Sequence, residues 1–98
     1  MADGIVVVDN AVESRFEVLV DGKVAGFAQY RLRPTSIVFT HTEVLPGYQG
    51  KGLAATLIGQ ALDMSRDTGL EVVPSCPYVA KYIAEHPEYA DLVVKKQH

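Results

Sequence analysis

Apolar and polar positions alternate along the first third of the chain with the two-residue period of β-strands. Ile5 to Val8 is a run of β-prone residues that predicts a first strand, closed by a turn at Asp9-Asn10. Phe16, Val18 and Val20 then alternate with Arg15 and Glu17, which predicts one buried and one wet face. Asp21-Gly22 is a two-residue hairpin signal. Val24, Gly26, Ala28, Tyr30 and Leu32 continue the buried face against Lys23, Gln29 and Arg31, and the small Gly26 and Ala28 predict a helix packed closely there. Arg33-Pro34-Thr35 reads as the next turn. From Ser36 to Leu45 both faces carry apolar residues: Val38, Thr40, Thr42 and Val44 on one, Ile37, Phe39, His41 and Leu45 on the other. A strand buried on both faces belongs in the middle of a sheet.

The period then changes. Leu53, Leu57, Ala61 and Met64 form a helical stripe flanked by Ala54, Ile58 and Leu62, while Lys51, Gln60, Asp63 and Asp67 take the outer face. Gly69 is placed to stop this helix. Leu70 to Val73 follows as a short buried strand, and strand–helix–strand of this length implies a right-handed crossover and a parallel pair. A short helix from Pro77 to Glu85, with proline in its first turn, ends at His86-Pro87. Leu92 to Val94 either adds a last strand or packs down. The expected fold is α+β: an antiparallel meander of four strands joined to one β-α-β unit, with two helices. At 98 residues it is one domain spanning 1–98.

Composition narrows the function classes. Hydrophobic content of 48% and charged content of 21% are globular values. With no apolar run of transmembrane length and no signal-peptide pattern, the expectation is a cytoplasmic protein without a membrane partner. One cysteine excludes an intramolecular disulfide and any multi-cysteine zinc site, and His41, His86 and His98 are too scattered to suggest a metal. Net charge is −3 and the only basic cluster is Lys95-Lys96, read as a solvated tail, so no nucleic-acid partner is expected.

The candidate chemistry sits between the central strand and the first helix, in Val44-Leu45-Pro46-Gly47-Tyr48-Gln49-Gly50-Lys51-Gly52-Leu53-Ala54. A glycine loop that opens a helix gathers backbone N–H groups at the positive end of a helix dipole and makes an anion site. The P-loop pattern fails, because Gly47 lies too close to Gly50-Lys51 and Gly52 stands where serine or threonine belongs. The dinucleotide fingerprint is met by Gly50, Gly52 and Ala55, but Glu71 would open a strand instead of ending one.

Gln49-Gly-Lys-Gly52-Leu-Ala54, with Val44 and Pro46 before it, resembles the Q/R-x-x-G-x-G/A motif of GNAT acetyltransferases. The likeness continues in His41-Thr42-Glu43-Val44, in Val73-Pro74-Ser75-Cys76-Pro77-Tyr78-Val79 and in His86-Pro87-Glu88-Tyr89. It spans roughly residues 12 to 93 and is closest to the minimal members of about a hundred residues. The resemblance implies a GNAT core lacking the usual helices between the first two strands, which leaves the acceptor side open. It implies acetyl-CoA as cofactor and acetyl transfer to an amine, with an exposed protein or peptide amine suiting an open acceptor side. The alternative is a CoA-binding sensor or interaction module without turnover. By resemblance, backbone groups of Gln49, Gly50, Lys51, Gly52, Leu53 and Ala54 would hold the pyrophosphate. Those of Glu43, Val44 and Leu45 would bond the pantetheine arm and polarise the thioester.

Three side chains are the catalytic candidates. Cys76 stands at a helix start beyond the second parallel strand, a position that favours the thiolate; it would accept the acetyl group, shape the thioester site, or be a buried structural cysteine. His41 would act as base beside that thiol or be a core histidine, with Glu43 the other base candidate. Tyr82 falls where the family places the acid for the leaving thiolate, Tyr78 is the nearby alternative, and core packing is the plainer reading of either.

Overall fold

The computed structural model describes residues 4–94; Lys95-Lys96 and His98 lie outside the described residues. Strands β1 (Ile5–Asn10), β2 (Arg15–Val20), β3 (Lys23–Leu32) and β4 (Ser36–Val44) form an antiparallel meander. Helix α1 (Leu53–Asp67) returns the chain to β5 (Glu71–Pro74), which lies parallel to β4 at the far edge of a sheet ordered β1-β2-β3-β4-β5. Helix α2 (Pro77–Glu85) and a 3-10 turn (Pro87–Leu92) follow. This is the α+β arrangement the periodicity predicts. Only the turn over residues 11–14 joins β1 to β2, and α1 is the first helix among the described residues.

One core lies between the sheet and the helices. Phe16, Val18, Ala28, Ile37 and Phe39 of the sheet meet Leu57, Ile58, Ala61 and Leu62 of α1 and Val79 and Ile83 of α2. Helix α1 ends as its sequence demands: Gly69 takes φ 77° past the Thr68 cap, its N–H bonds Arg66 O, and Leu70 N–H reaches Ser65 O. That pair of bonds satisfies carbonyls a helix end would otherwise leave bare. Arg66 then ties α1 to the 3-10 turn through Asp91 at 2.9 Å and the Glu88 carbonyl at 2.8 Å. Val93 bridges β5 at Val72 without forming a strand.

Several local expectations are corrected. Asp9-Asn10 is not a turn: β1 runs on to Asn10, because Asp9 and Asn10 pair with Phe16 and Arg15. Glu17 is not wet; it is 6% exposed, and its carboxylate takes bonds from Arg15 Nε at 2.8 Å and Asn10 Nδ2 at 3.0 Å, which offset the cost of burying the charge. Leu32 is exposed at the strand end. Gly26 makes room for a strand, not a helix: a Cβ there would stand 2.8 Å from Glu43 O and 3.3 Å from Val44 Cα.

The most consequential correction is in β4. Gln29 pairs with His41 and Tyr30 with Phe39, so Thr40 is an extra residue in the ladder. Such a bulge reverses the facing of everything beyond it. Ile37 and Phe39 face the core before the bulge; Thr42 and Val44, opposite Ala28 and Gly26, share the core side after it. His41 and Phe39 are therefore on opposite faces, although strict alternation puts them together.

Candidate functional site

Strands β4 and β5 pair only from Ser36–Glu71 to Phe39–Pro74. Beyond that point the strands part. The last tie is Cys76 N–H donating to Phe39 O at 2.8 Å. β4 continues alone on that side through Thr40 to Val44, leading straight into the glycine loop.

The loop is a cradle. Gly47, Gly50 and Gly52 all have left-handed φ, of 91°, 80° and 72°, and a Cβ added at any of them would meet nothing within 4 Å. Gly52 is the N-cap of α1 and offers no side-chain bond to the helix, whose first turn holds no acid. The leading N–H groups of α1 thus lack both a capping oxygen and a counter-charge, and the positive end of a fifteen-residue dipole faces the glycines. Lys51 is exposed beside them. A cavity of about 220 Å³ lies against this turn, lined by Val44, Tyr48, Gln49, Leu53, Ala55 and Tyr78 among others. Gln49 Nε2 donates to Val44 O at 3.1 Å, and Leu45 N–H to Ala25 O at 2.8 Å, so those groups of the strand end are already engaged.

Cys76 caps α2 and is 4% exposed. Its sulfur lies 3.4 Å from Thr42 Oγ1. Thr42 reaches it because the bulge turns that side chain to the core side; strict alternation along β4 gives no sign of the pairing. His41 is not brought to Cys76. It points to the face that no helix covers among the described residues, where Nε2 sits 3.1 Å from Glu43 Oε1 with both side chains about half exposed, and its ring lies 6.1 Å from that of Phe27. Arg15 stacks on the other part of that surface, its guanidinium 4.5 Å from the Phe27 ring centre.

Tyr82 packs against α1 and the chain that follows α2. Its hydroxyl lies over Gly59 of α1, where a Cβ would come within 2.7 Å, and its ring stacks on His86 at 3.9 Å. Burial, then the charges of Glu88, Asp63 and Tyr78, raises its pKa above the usual tyrosine value. It shares a groove with Thr56, Asp63 and Tyr89 that adjoins the loop cavity at Ala55. There Tyr89 Oη donates to Asp63 Oδ1 at 2.8 Å; burial first, and this bond second, push the Tyr89 hydroxyl up to about 12. Tyr78, not Tyr82, lines the loop cavity. Tyr48 and Ala55 line it too, a role that the motif does not reveal because one stands just before its first residue and the other just after its last. Among the described residues no group of three or more His, Cys, Asp and Glu side chains could hold a metal, and no helix is long and apolar enough to cross a membrane.

The family described as GCN5-related N-acetyl-transferase matches residues 15–92. Protein NATD1 of Gallus gallus is 40% identical over 47 residues, 48% of this chain and 43% of its own; that of Homo sapiens is 40% identical over 47 residues, 48% of this chain and 42% of its own. The match thus spans less than half the length of these curated relatives. Among solved structures, a GCN5-like protein from Staphylococcus aureus has a TM-score of 0.71 at 18% identity, over 99% of this chain and 95% of its own. A ribosomal-protein-alanine N-acetyltransferase from Brucella melitensis gives 0.58 at 21% identity, over 86% and 63%. At these identities the two structures speak to the fold.

Proposed function

Because this chain belongs to the GCN5-related N-acetyltransferase family, we propose that it binds acetyl-CoA at the Gln49–Ala54 turn and transfers the acetyl group to an amine. The observation that carries this reading is the uncapped, acid-free N-terminus of α1 behind three left-handed glycines. A polyanion would supply the counter-charge the helix lacks, and the missing Cβ atoms leave it room. The backbone of Gln49 to Ala54 and the Lys51 ammonium would hold the pyrophosphate. The side of β4 left open between Thr40 and Glu43 would receive the extended pantetheine arm, as a partner strand would be received, while the Val44 carbonyl keeps its bond from Gln49. Bound there, the thioester supplies an activated acetyl carbon.

Two chemical roles are then separated by the sheet. Cys76 and Thr42 lie on the core side, where the thiol would either shape the thioester site or attack its carbonyl, the new S–C bond forming as the bond to CoA breaks and CoA leaves as its thiol with the proton from Cys76. His41 and Glu43 lie on the open face, where the imidazole, oriented by the carboxylate, would remove a proton from an incoming amine. Among the described residues no helix covers that face, which suits an amine carried on a protein or peptide. The short turn over residues 11–14 also favours a second reading, a CoA-binding module without turnover, since the acceptor side has few walls.

Thermal-shift titration tests the cofactor, with acetyl-CoA, CoA and NAD compared. Saturating acetyl-CoA should raise Tm by several degrees and NAD should not. No shift at millimolar acetyl-CoA would sink both readings. Intact-mass analysis after incubation with acetyl-CoA, and turnover with a peptide amine, then divide them. In the enzyme His41→Ala should slow amine acetylation about a hundredfold or more, the scale of a lost general base. Because His41 faces away from Cys76, the same change should leave any acetylation of the thiol unaltered; no turnover with intact binding would favour the module.

A further inference from the structure

A second cavity opens at the opposite end of α1, between its last turn and the sheet. Fifteen residues of helix put it about 22 Å from the glycine loop, at 1.5 Å per residue. It holds about 160 Å³ and is walled by Phe16, Tyr30, Ile37, Met64 and Leu70, with Asp9 among its lining residues. Phe16, Tyr30 and Ile37 are at most 5% exposed, while Leu32, also in the lining, is 62% exposed and forms an apolar rim. The Phe16 and Tyr30 rings pack 5.2 Å apart as one wall.

The wall and the rim differ in chemistry. Tyr30 Oη donates to Asp9 Oδ1 at 2.5 Å, which fixes the exposed Asp9 carboxylate at the edge of the cavity. Among the described residues Asp9 has no cationic partner. A cavity of about 150 Å³ between apolar side chains is large enough for a benzene ring; this one is of that size, opens to solvent, and has Asp9, Ser65 and Thr68 as its polar edge. An unneutralised carboxylate beside an aromatic wall attracts an ammonium group. Met64, unbranched and partly buried, can adjust to the ring that enters.

We propose that this cavity binds a small arylalkyl amine, its ring against Phe16, Ile37, Met64 and Leu70 and its ammonium on Asp9. The site needs neither the glycine loop nor Cys76, so it stands or falls separately from the acetyl-CoA reading.

The test is a ¹⁵N-resolved NMR titration of the full chain with benzylamine, with benzyl alcohol as the neutral isostere. Both should give saturable shifts at Ser65, Thr68 and Leu70, with Gly50 and Gly52 unmoved. Benzylamine should bind about threefold to fivefold tighter than the alcohol, the range of an exposed ion pair. Asp9→Asn should remove that preference and leave the alcohol's affinity unchanged, because the asparagine oxygen still accepts the Tyr30 hydroxyl. Absence of saturable shifts, shifts centred on the loop, equal affinity for the two probes, or a preference that survives Asp9→Asn would each overturn the proposal.

Discussion

Gly26 shows how a single residue positions the site without touching it. Its missing Cβ lets the Glu43 carbonyl and Val44 Cα close onto β3, and that contact fixes the end of β4 from which the loop departs. Gly26→Ala should cost about 1–3 kcal/mol, the usual range for forcing an atom into filled space. Urea unfolding should show a lower midpoint at unchanged m; an unaltered midpoint would mean that the strands separate there freely. That something packs closely at Gly26 is legible in the sequence; which neighbour demands the space is not, because that neighbour comes from β4, seventeen positions and a turn away. Cys76 is similar. Its place at a helix start was legible from Pro77, whereas its contact with Thr42 was not.

At the scale of the element, α1 is built with an asymmetry. Its C-terminus is closed by the Gly69 motif, whose N–H groups reach the Arg66 and Ser65 carbonyls, with Arg66 in the last turn, while its N-terminus has neither side-chain cap nor acid. A helix selected only for stability would carry an acid in its first turn. Ala55→Glu, at an exposed first-turn position, supplies one. The unliganded protein should gain about 0.3–1 kcal/mol from the dipole. Acetyl-CoA should then bind about tenfold more weakly, since the new carboxylate competes with the phosphates for the same positive end. Thermal unfolding measures the first effect and calorimetric titration the second; a gain in stability with no loss of affinity would show that the phosphates bind elsewhere. This element was readable almost whole, from the Leu53–Met64 stripe to its glycine stop. β4 was not, because one extra residue at Thr40 inverts its alternation and nothing in the apolar pattern marks where a ladder slips.

Over the whole molecule, protection should follow position in the sheet. β3, and β4 from Ser36 to Phe39, are paired on both sides along the shared core, whereas β1 has no partner on its outer edge among the described residues and leaves Ile5, Val6 and Val8 exposed. Hydrogen exchange should be slowest at Ala28, Val38 and Phe39 and fastest in β1 and the Pro87–Leu92 turn. Equal protection of β1 would indicate that its edge is covered in solution. The chain by itself determined the order and type of the five strands and two α-helices, the parallel pair and the glycine turn, though not the 3-10 turn after α2, since the former follow from local periodicity, turn chemistry and the helix dipole. Only the tertiary structure decided which side chains meet. Where β4 and β5 part, which face His41 takes, and that Tyr78 rather than Tyr82 lines the loop cavity all depend on a strand register set by long-range packing. A one-residue bulge leaves every local preference satisfied, so those preferences carry no record of it.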